Sequence, residues 1–239
     1  MKSCPKISFV IPVYNRANLI LDALNSLKAQ TVTEWEAIVV DDHSTDNLEE
    51  VIRDYDERVR YLKLPDKLGK GVSSARNYGN LNAKAELIAI LDSDDLAKPE
   101  RAELALESYK ENNWDFYCTL RDNINLITGI TTIQKVPLEE WDSKVFKQGS
   151  FVGHSTVVYT KKAALEIPYN SALPALDDYD LISRFIVLGK KMFFSPEITT
   201  TYRVHGGERI TTHVDRAYQE ELLRTIRTSR GWNPEEPKK

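Results

Sequence analysis

The chain has 239 residues, with 32 lysines and arginines against 36 aspartates and glutamates and a net charge of −4. That balance gives no electrostatic reason to expect a nucleic-acid partner. The only two cysteines, Cys4 and Cys118, are too few for a disulfide framework, so a reducing compartment is expected.

The 41% hydrophobic content suffices for the core of one large α/β domain or two small ones. No run approaches the roughly 20 apolar residues of a membrane helix. The opening MKSCPKISFVIPVYN is interrupted by Pro12 and reads as a strand rather than as a leader or an anchor. ISFVIPV (7–13) is that strand, and NLILDALNSLKAQ (18–30) follows with Leu19, Ala23, Leu24 and Leu27 at helical spacing and Asn18 available as a cap. EAIVVDD (36–42) predicts a second strand, STDNLEEVIRDY (44–55) a helix and VRYLKL (59–64) a third strand. LGKGVSSARNYGNLNAK (68–84) predicts a loop entering a helix, ELIAIL (86–91) a fourth strand, and KPERAELALESYKE (98–111) a helix with Pro99 in its first turn. Such alternation with short connections predicts a parallel sheet wrapped by helices.

Beyond about residue 112 the pattern loosens. Strands are expected at 114–120, 155–160, KMFFS and 199–205, and helices at 137–148, 178–189 and about 213–229, before a charged tail, NPEEPKK. The whole is expected to be one domain with no repeats or linkers.

In an open parallel sheet, ligands sit beyond the carboxyl ends of the strands. Strand one ends in Tyr14-Asn15-Arg16, strand two in Asp41-Asp42 and strand four in Asp92-Ser93-Asp94-Asp95, so three polar ends are expected on one rim. Asp46 reads as a helix cap, while for Asp41 and Asp42 capping and ligand binding both stay open. A cap cannot explain all of Asp92, Asp94 and Asp95. Like charges about 4 Å apart repel by about 1 kcal/mol even in water, and a hard divalent cation holding a diphosphate would offset this. Strand alternation sends Asp92 and Asp94 to one side and Asp95 to the other, although a turn can still bring all three near one ion.

FVIPVYNR (9–16), VVDDHSTDN (39–47), GVSSARNYG (71–79) and AILDSDDLAKPE (89–100) occur in order, followed by LDDYDLISRF (176–185) and TYRVHGGERIT (201–211). Over residues 6–212 the chain resembles the family 2 glycosyltransferases, the inverting GT-A type. The resemblance implies an α/β GT-A fold, with a Rossmann-like, mostly parallel central sheet, helices on both faces and a smaller mixed acceptor-side region. It implies a single domain over 1–239, made of a nucleotide-sugar half (1–111), an acceptor half (112–212) and a C-terminal helix and tail (213–239).

The resemblance also implies roles. Pro12, Val13 and Tyr14 would line a base pocket, with Asp42 accepting a hydrogen bond from the base. Arg76 would assist the nucleotide or its phosphates, and Asp92 opens the D-x-D pattern. Asp94 would bind ribose or metal and Asp95 the metal, the choice among the three acids staying open. His205 would join the metal and Arg203 the nucleotide. Asp178 matches the family's base, and desolvation would raise its pKa usefully; Asp177 stands where the family usually has glutamate. His154 stays open between an acceptor pocket and simple packing, and His43 and His213 read as surface or satisfied residues.

The implied activity is metal-dependent, with Mn²⁺ or Mg²⁺, and moves one sugar from a UDP-sugar to a glycan, lipid-linked or protein-linked acceptor in glycan or polysaccharide synthesis. The Q-x-x-R-W segment of processive synthases is missing, so single transfers are expected. The expected location is cytoplasmic, with peripheral contact at the inner membrane face for a lipid-linked acceptor. A nucleotide-sugar-binding module without turnover and a nucleotidyltransferase remain the alternatives.

Overall fold

Ile7–Val13 (β1) is buried along its whole length. A strand with no solvent face needs a neighbour on each edge and a helical layer on each face. Both are present in the computed structural model of the protein, which describes residues 4–133, 152–205 and 216–232. Trp35–Asp41 (β2), Val59–Lys63 (β3) and Leu87–Ile90 (β4) join it in the parallel order β3-β2-β1-β4. Val13 lies beside Asp41, and Asp41 beside Lys63, so the strands end together on one rim.

Alternation along β1 divides the core. Phe9 and Ile11 pack into one cluster with Leu24 and Leu27 of helix α1 (Ile20–Lys28) and Ala102 and Ala105 of α4 (Arg101–Asn112). Val10 packs into the other with Ala75 of α3 (Val72–Asn82). Helix α3 approaches the sheet so closely that a Cβ at Gly79 would lie 2.4 Å from Cγ1 of Val10, which is why this helix tolerates a glycine mid-way. The short helix α2 (Leu48–Ile52) covers less than the expected 44–55.

The second half continues the same sheet. Val158–Thr160 (β8) pairs antiparallel with β4, and Phe116–Asn125 (β6) antiparallel with β8. Met192–Val204 (β9) runs parallel to β6, and Leu96–Ala97 (β5) pairs antiparallel with β9. Thr131–Ile133 (β7) hangs on β6. Helices α5 (Lys161–Glu166), α6 (Asp177–Val187) and α7 (Arg216–Ser229) complete the described residues.

Several expectations change here. KMFFS and 199–205 are parts of one strand, because β9 continues through Pro196 alongside β6. β6 runs on past 120 through the polar residues RDNIN, which are half-buried against β9. The segment 155–160 divides into a 3₁₀ turn, His154–Thr156, and β8. β7 and α5 carried no periodic signal; α5 is nucleated by the Thr160 hydroxyl, which accepts the Ala163 N–H at 3.2 Å. The helix expected at 137–148 lies outside the described residues, as does the tail beyond 232.

Candidate active site

The loops after β1 and β2 are stitched into one rim. The Asp42 N–H donates to the Val13 carbonyl at 2.8 Å, and the Thr45 N–H to Asn15 Oδ1 at 2.7 Å, with Asn15 itself in the left-handed region at φ 50°. Asp46 does not cap α2; it accepts the Ala17 N–H at 2.9 Å. Asp41 is turned inward, accepting from the Tyr61 hydroxyl at 2.6 Å and the Ser44 N–H at 2.8 Å. Asp42 stays on the rim, accepts the Gly71 N–H at 2.8 Å and sits 3.3 Å from His43, whose other ring nitrogen is 2.7 Å from Asp66. Of the three residues expected at a base, Tyr14 is 56% exposed, whereas Pro12 and Val13 are buried within β1 and Val13 belongs to the core.

Past Leu91 the chain turns, and each acid finds a different partner. Asp92 meets Arg76 Nη2 at 2.8 Å. Desolvation alone would raise its carboxyl, but the Arg76 guanidinium, with smaller help from Ser155, holds it below the usual range. Asp94 projects to the surface side, its Oδ2 lying 2.9 Å from His205 Nε2. Asp95 is 1% exposed, accepting from the Ser155 hydroxyl at 2.5 Å and the Arg203 N–H at 3.2 Å. Burial, and after it the charge of Asp92, pushes the Asp95 carboxyl well above the usual carboxylate range.

The Ser155 hydroxyl also accepts the Asp92 N–H at 3.1 Å, so one oxygen fixes both ends of the acidic turn. Ser155→Ala leaves a buried acceptor and a backbone donor without this partner. It is expected to cost about 1–3 kcal/mol, read as a lower urea midpoint at unchanged m.

Asp178 comes to this rim on α6. Leu176, just before the helix, adopts φ 59°, a conformation unfavourable for leucine, and accepts the Asp180 N–H at 2.9 Å through its carbonyl. Asp177, Asp178 and Asp180 fill the first turn, where carboxylates meet the positive end of the helix. Asp180 is buried against Arg184 and Arg230, at 2.8 and 2.6 Å. Asp177 receives Arg76 Nη1 at 2.7 Å and the Ser73 hydroxyl at 3.2 Å. Half-buried Asp178 accepts only its neighbour's N–H, that of Tyr179, at 2.7 Å among its described hydrogen bonds. Desolvation and then the Asp177 charge raise its carboxyl to about 6, against smaller opposing pulls from that N–H and Arg76. A carboxylate poised there can accept a proton near neutral pH.

Three expected ligand roles find different geometry. Arg203, expected at a nucleotide, is buried with its guanidinium on Asp22 at 2.5 Å, the Leu19 carbonyl at 3.3 Å and the Asp94 carbonyl. Arg76, expected at the same ligand, bridges Asp92 and Asp177. Asp95, expected on a metal, is buried against the Ser155 hydroxyl and the Arg203 N–H. No group of three or more His, Cys, Asp or Glu side chains converges on a metal position among the described residues. Asp94 and His205 still suit a divalent ion such as Mn²⁺, supplying an oxygen and a nitrogen that are both partly exposed, because such ions complete their shells with diphosphate oxygens and water. His154 is buried, 2.6 Å from the Tyr169 hydroxyl, and burial followed by Arg76 pushes it down to about 3, so it packs as a neutral ring.

The pairing of Arg76 with Asp177 escaped the sequence reading. The two residues lie 101 positions apart, so nothing local to either marks the pairing.

The family model described as "Glycosyl transferase family 2" matches residues 8–167. An uncharacterised glycosyltransferase of Rickettsia felis is 41% identical over 122 residues, which are 50% of this chain and 20% of that protein. The chain therefore aligns with about a fifth of the length of such curated relatives. Among solved structures, S. aureus TarS 1–349 in complex with UDP-GlcNAc superposes with a TM-score of 0.76 at 22% identity, over 93% of this chain and 66% of that one. The mannosyltransferase PcManGT from Pyrobaculum calidifontis, in complex with GDP-Man and Mn²⁺, superposes with a TM-score of 0.69 at 14% identity, over 95% of this chain and 64% of that one.

Proposed function

The chain belongs to glycosyltransferase family 2, with the GT-A fold, and on that premise we propose that it is an inverting, metal-dependent, non-processive transferase with Asp178 as its base. It moves one sugar from a UDP-sugar to a hydroxyl of a glycan, lipid-linked or protein-linked acceptor. One observation carries this reading: Asp178, raised to about 6, stands at a helix start tied through Asp177 and Arg76 to the acidic turn.

In a single displacement the acceptor hydroxyl gives its proton to Asp178 Oδ while its oxygen bonds to the anomeric carbon. The bond from that carbon to the diphosphate breaks on the opposite face, and UDP leaves. This inverts the anomeric centre. A divalent cation at Asp94 and His205, when bound, would neutralise charge on the leaving diphosphate. Tyr14 and Asp42 line the rim where the base of the donor would sit, with the Val13 carbonyl fixing Asp42 from behind. Arg203 and Asp95 hold the acidic turn from below. The neighbours' ligands, UDP-GlcNAc in TarS and GDP-Man with Mn²⁺ in PcManGT, agree with a nucleotide-sugar donor and a divalent ion. No described helix is long and apolar enough to cross a membrane, which is compatible with peripheral contact at an inner membrane face.

Incubation with a panel of UDP-sugars and Mn²⁺ is expected to release UDP, faster with a glycan acceptor, and to stop on adding EDTA. Tight UDP binding with no turnover on any acceptor would instead mark a binding module. A ladder of long homopolymer would overturn single transfer.

A further inference from the structure

Arg76 ties two parts of the site together. It leaves α3 at the second-half face of the sheet, and its two terminal nitrogens go to carboxylates on two different elements: Nη2 to Asp92 in the acidic turn at 2.8 Å, and Nη1 to Asp177 on α6 at 2.7 Å. Its side chain is 6% exposed, against 13% for Asp177 and 32% for Asp92. Ser73, one turn earlier on α3, adds a hydrogen bond to the same Asp177 oxygen at 3.2 Å. The guanidinium also lies 5.5 Å from the centre of the Tyr169 ring. Each terminal nitrogen already meets a carboxylate, so the guanidinium is held between the acidic turn and α6 by two ion pairs, while its Nε has no partner among the described residues.

We propose that Arg76 is a positioning residue rather than a ligand of the donor: a strut that fixes α6, and with it Asp178, against the acidic turn. This rests on the transferase reading above. A planar two-pronged guanidinium suits the task, because it reaches two carboxylates in fixed directions, whereas a lysine offers a single point of charge. It also accounts for Asp177. The shorter aspartate side chain brings its oxygen to 2.7 Å from Arg76 while keeping Asp178 next to it in the first turn.

The strut has an electrostatic consequence. The charged groups around Asp178 are Asp177 on its own helix, Arg76 from α3 and Asp92 from the turn, with neutral His154 and Tyr169 beside the guanidinium. Asp177 and Asp92 disfavour ionisation of Asp178, and Arg76 favours it. Removing Arg76 and removing the Asp177 charge must therefore move Asp178 in opposite directions. Loss of the strut should also loosen α6 in Arg76→Gln, read as faster amide hydrogen exchange along Asp177–Val187, which nearness of charge alone would not produce.

The test uses the full chain labelled at the aspartate carboxyl carbons, with the Asp178 resonance assigned by its loss in Asp178→Asn. Titration by NMR then reads Asp178 whether or not a productive acceptor is found. Arg76→Gln is expected to shift its midpoint up by about one pH unit and Asp177→Asn to shift it down. The acid limb of kcat should move with each, while the dissociation constant of UDP with Mn²⁺ stays within about threefold, as expected for groups that do not touch the nucleotide. A tenfold or greater loss of UDP affinity in Arg76→Gln with the Asp178 midpoint unmoved would overturn the strut and make Arg76 a donor ligand. Midpoints moving the same way in both variants would overturn it as well. If Arg76→Gln does not fold, Asp177→Asn alone decides, since an unmoved or raised midpoint there contradicts the proposal. Parent protein that binds UDP but never releases it from any donor would sink the transferase reading while leaving the opposed shifts intact.

Discussion

Asp178→Asn is expected to lower kcat by about 10³-fold, within the usual range for losing a general base, while UDP binding stays within about threefold. Asparagine keeps the shape of the side chain and its acceptor oxygen for the Tyr179 N–H, but it cannot take a proton. The parent should lose activity as pH falls through about 6, because the raised carboxyl is then protonated and no longer a base. Stability should move the other way. In the unfolded chain the same carboxyl ionises near 3.9, so holding it ionised in the fold is unfavourable above that value and fully so above about 6. The substitution removes that burden, worth about 1–2 kcal/mol for a half-buried group. The variant should accordingly unfold at a higher temperature than the parent at pH 8, and at an equal one near pH 4. A variant that keeps more than a tenth of parental turnover would exclude Asp178 as the base.

Why this site was partly legible in the sequence follows from what each signal depends on. The four parallel strands announced themselves because β1, β2 and β4 are buried on both faces, which forces apolar runs. Their polar ends then had to share a rim. Asp178 stands out only through the resemblance of LDDYDLISRF to a family 2 segment, since acids at a helix start are equally explained by the helix dipole. The partners were not legible, since they come from other parts of the chain: Arg76 lies 101 residues from Asp177, Ser155 60 from Asp95 and Arg203 181 from Asp22. Charge crowding at Asp92, Asp94 and Asp95 was read as a demand for one cation. In the fold Asp92 meets a guanidinium, Asp94 an imidazole, and Asp95 burial with hydrogen bonds. Likewise β6 was cut short at 120 because half-buried RDNIN lacks an apolar face, although β9 supplies backbone partners along it.

Asp94→Asn is expected to erase the metal-linked stabilisation by the nucleotide. In the parent, UDP with Mn²⁺ at about 100 times its dissociation constant should add roughly 2.7 kcal/mol, or about 5–10 °C in Tm for a chain of this size. EDTA should remove that gain, and Asp94→Asn should lack it from the start, with turnover down by about 10³-fold. His205→Ala is expected to weaken the same gain without abolishing it, as befits the second member of a pair 2.9 Å apart. Asp95→Asn supplies the contrast. Its side chain is buried and bound to Ser155 and the Arg203 N–H, so the variant should keep the Mn²⁺-dependent gain. If Asp95→Asn abolishes the gain and Asp94→Asn preserves it, the ion sits on the inner acid, and the turn must open to receive it.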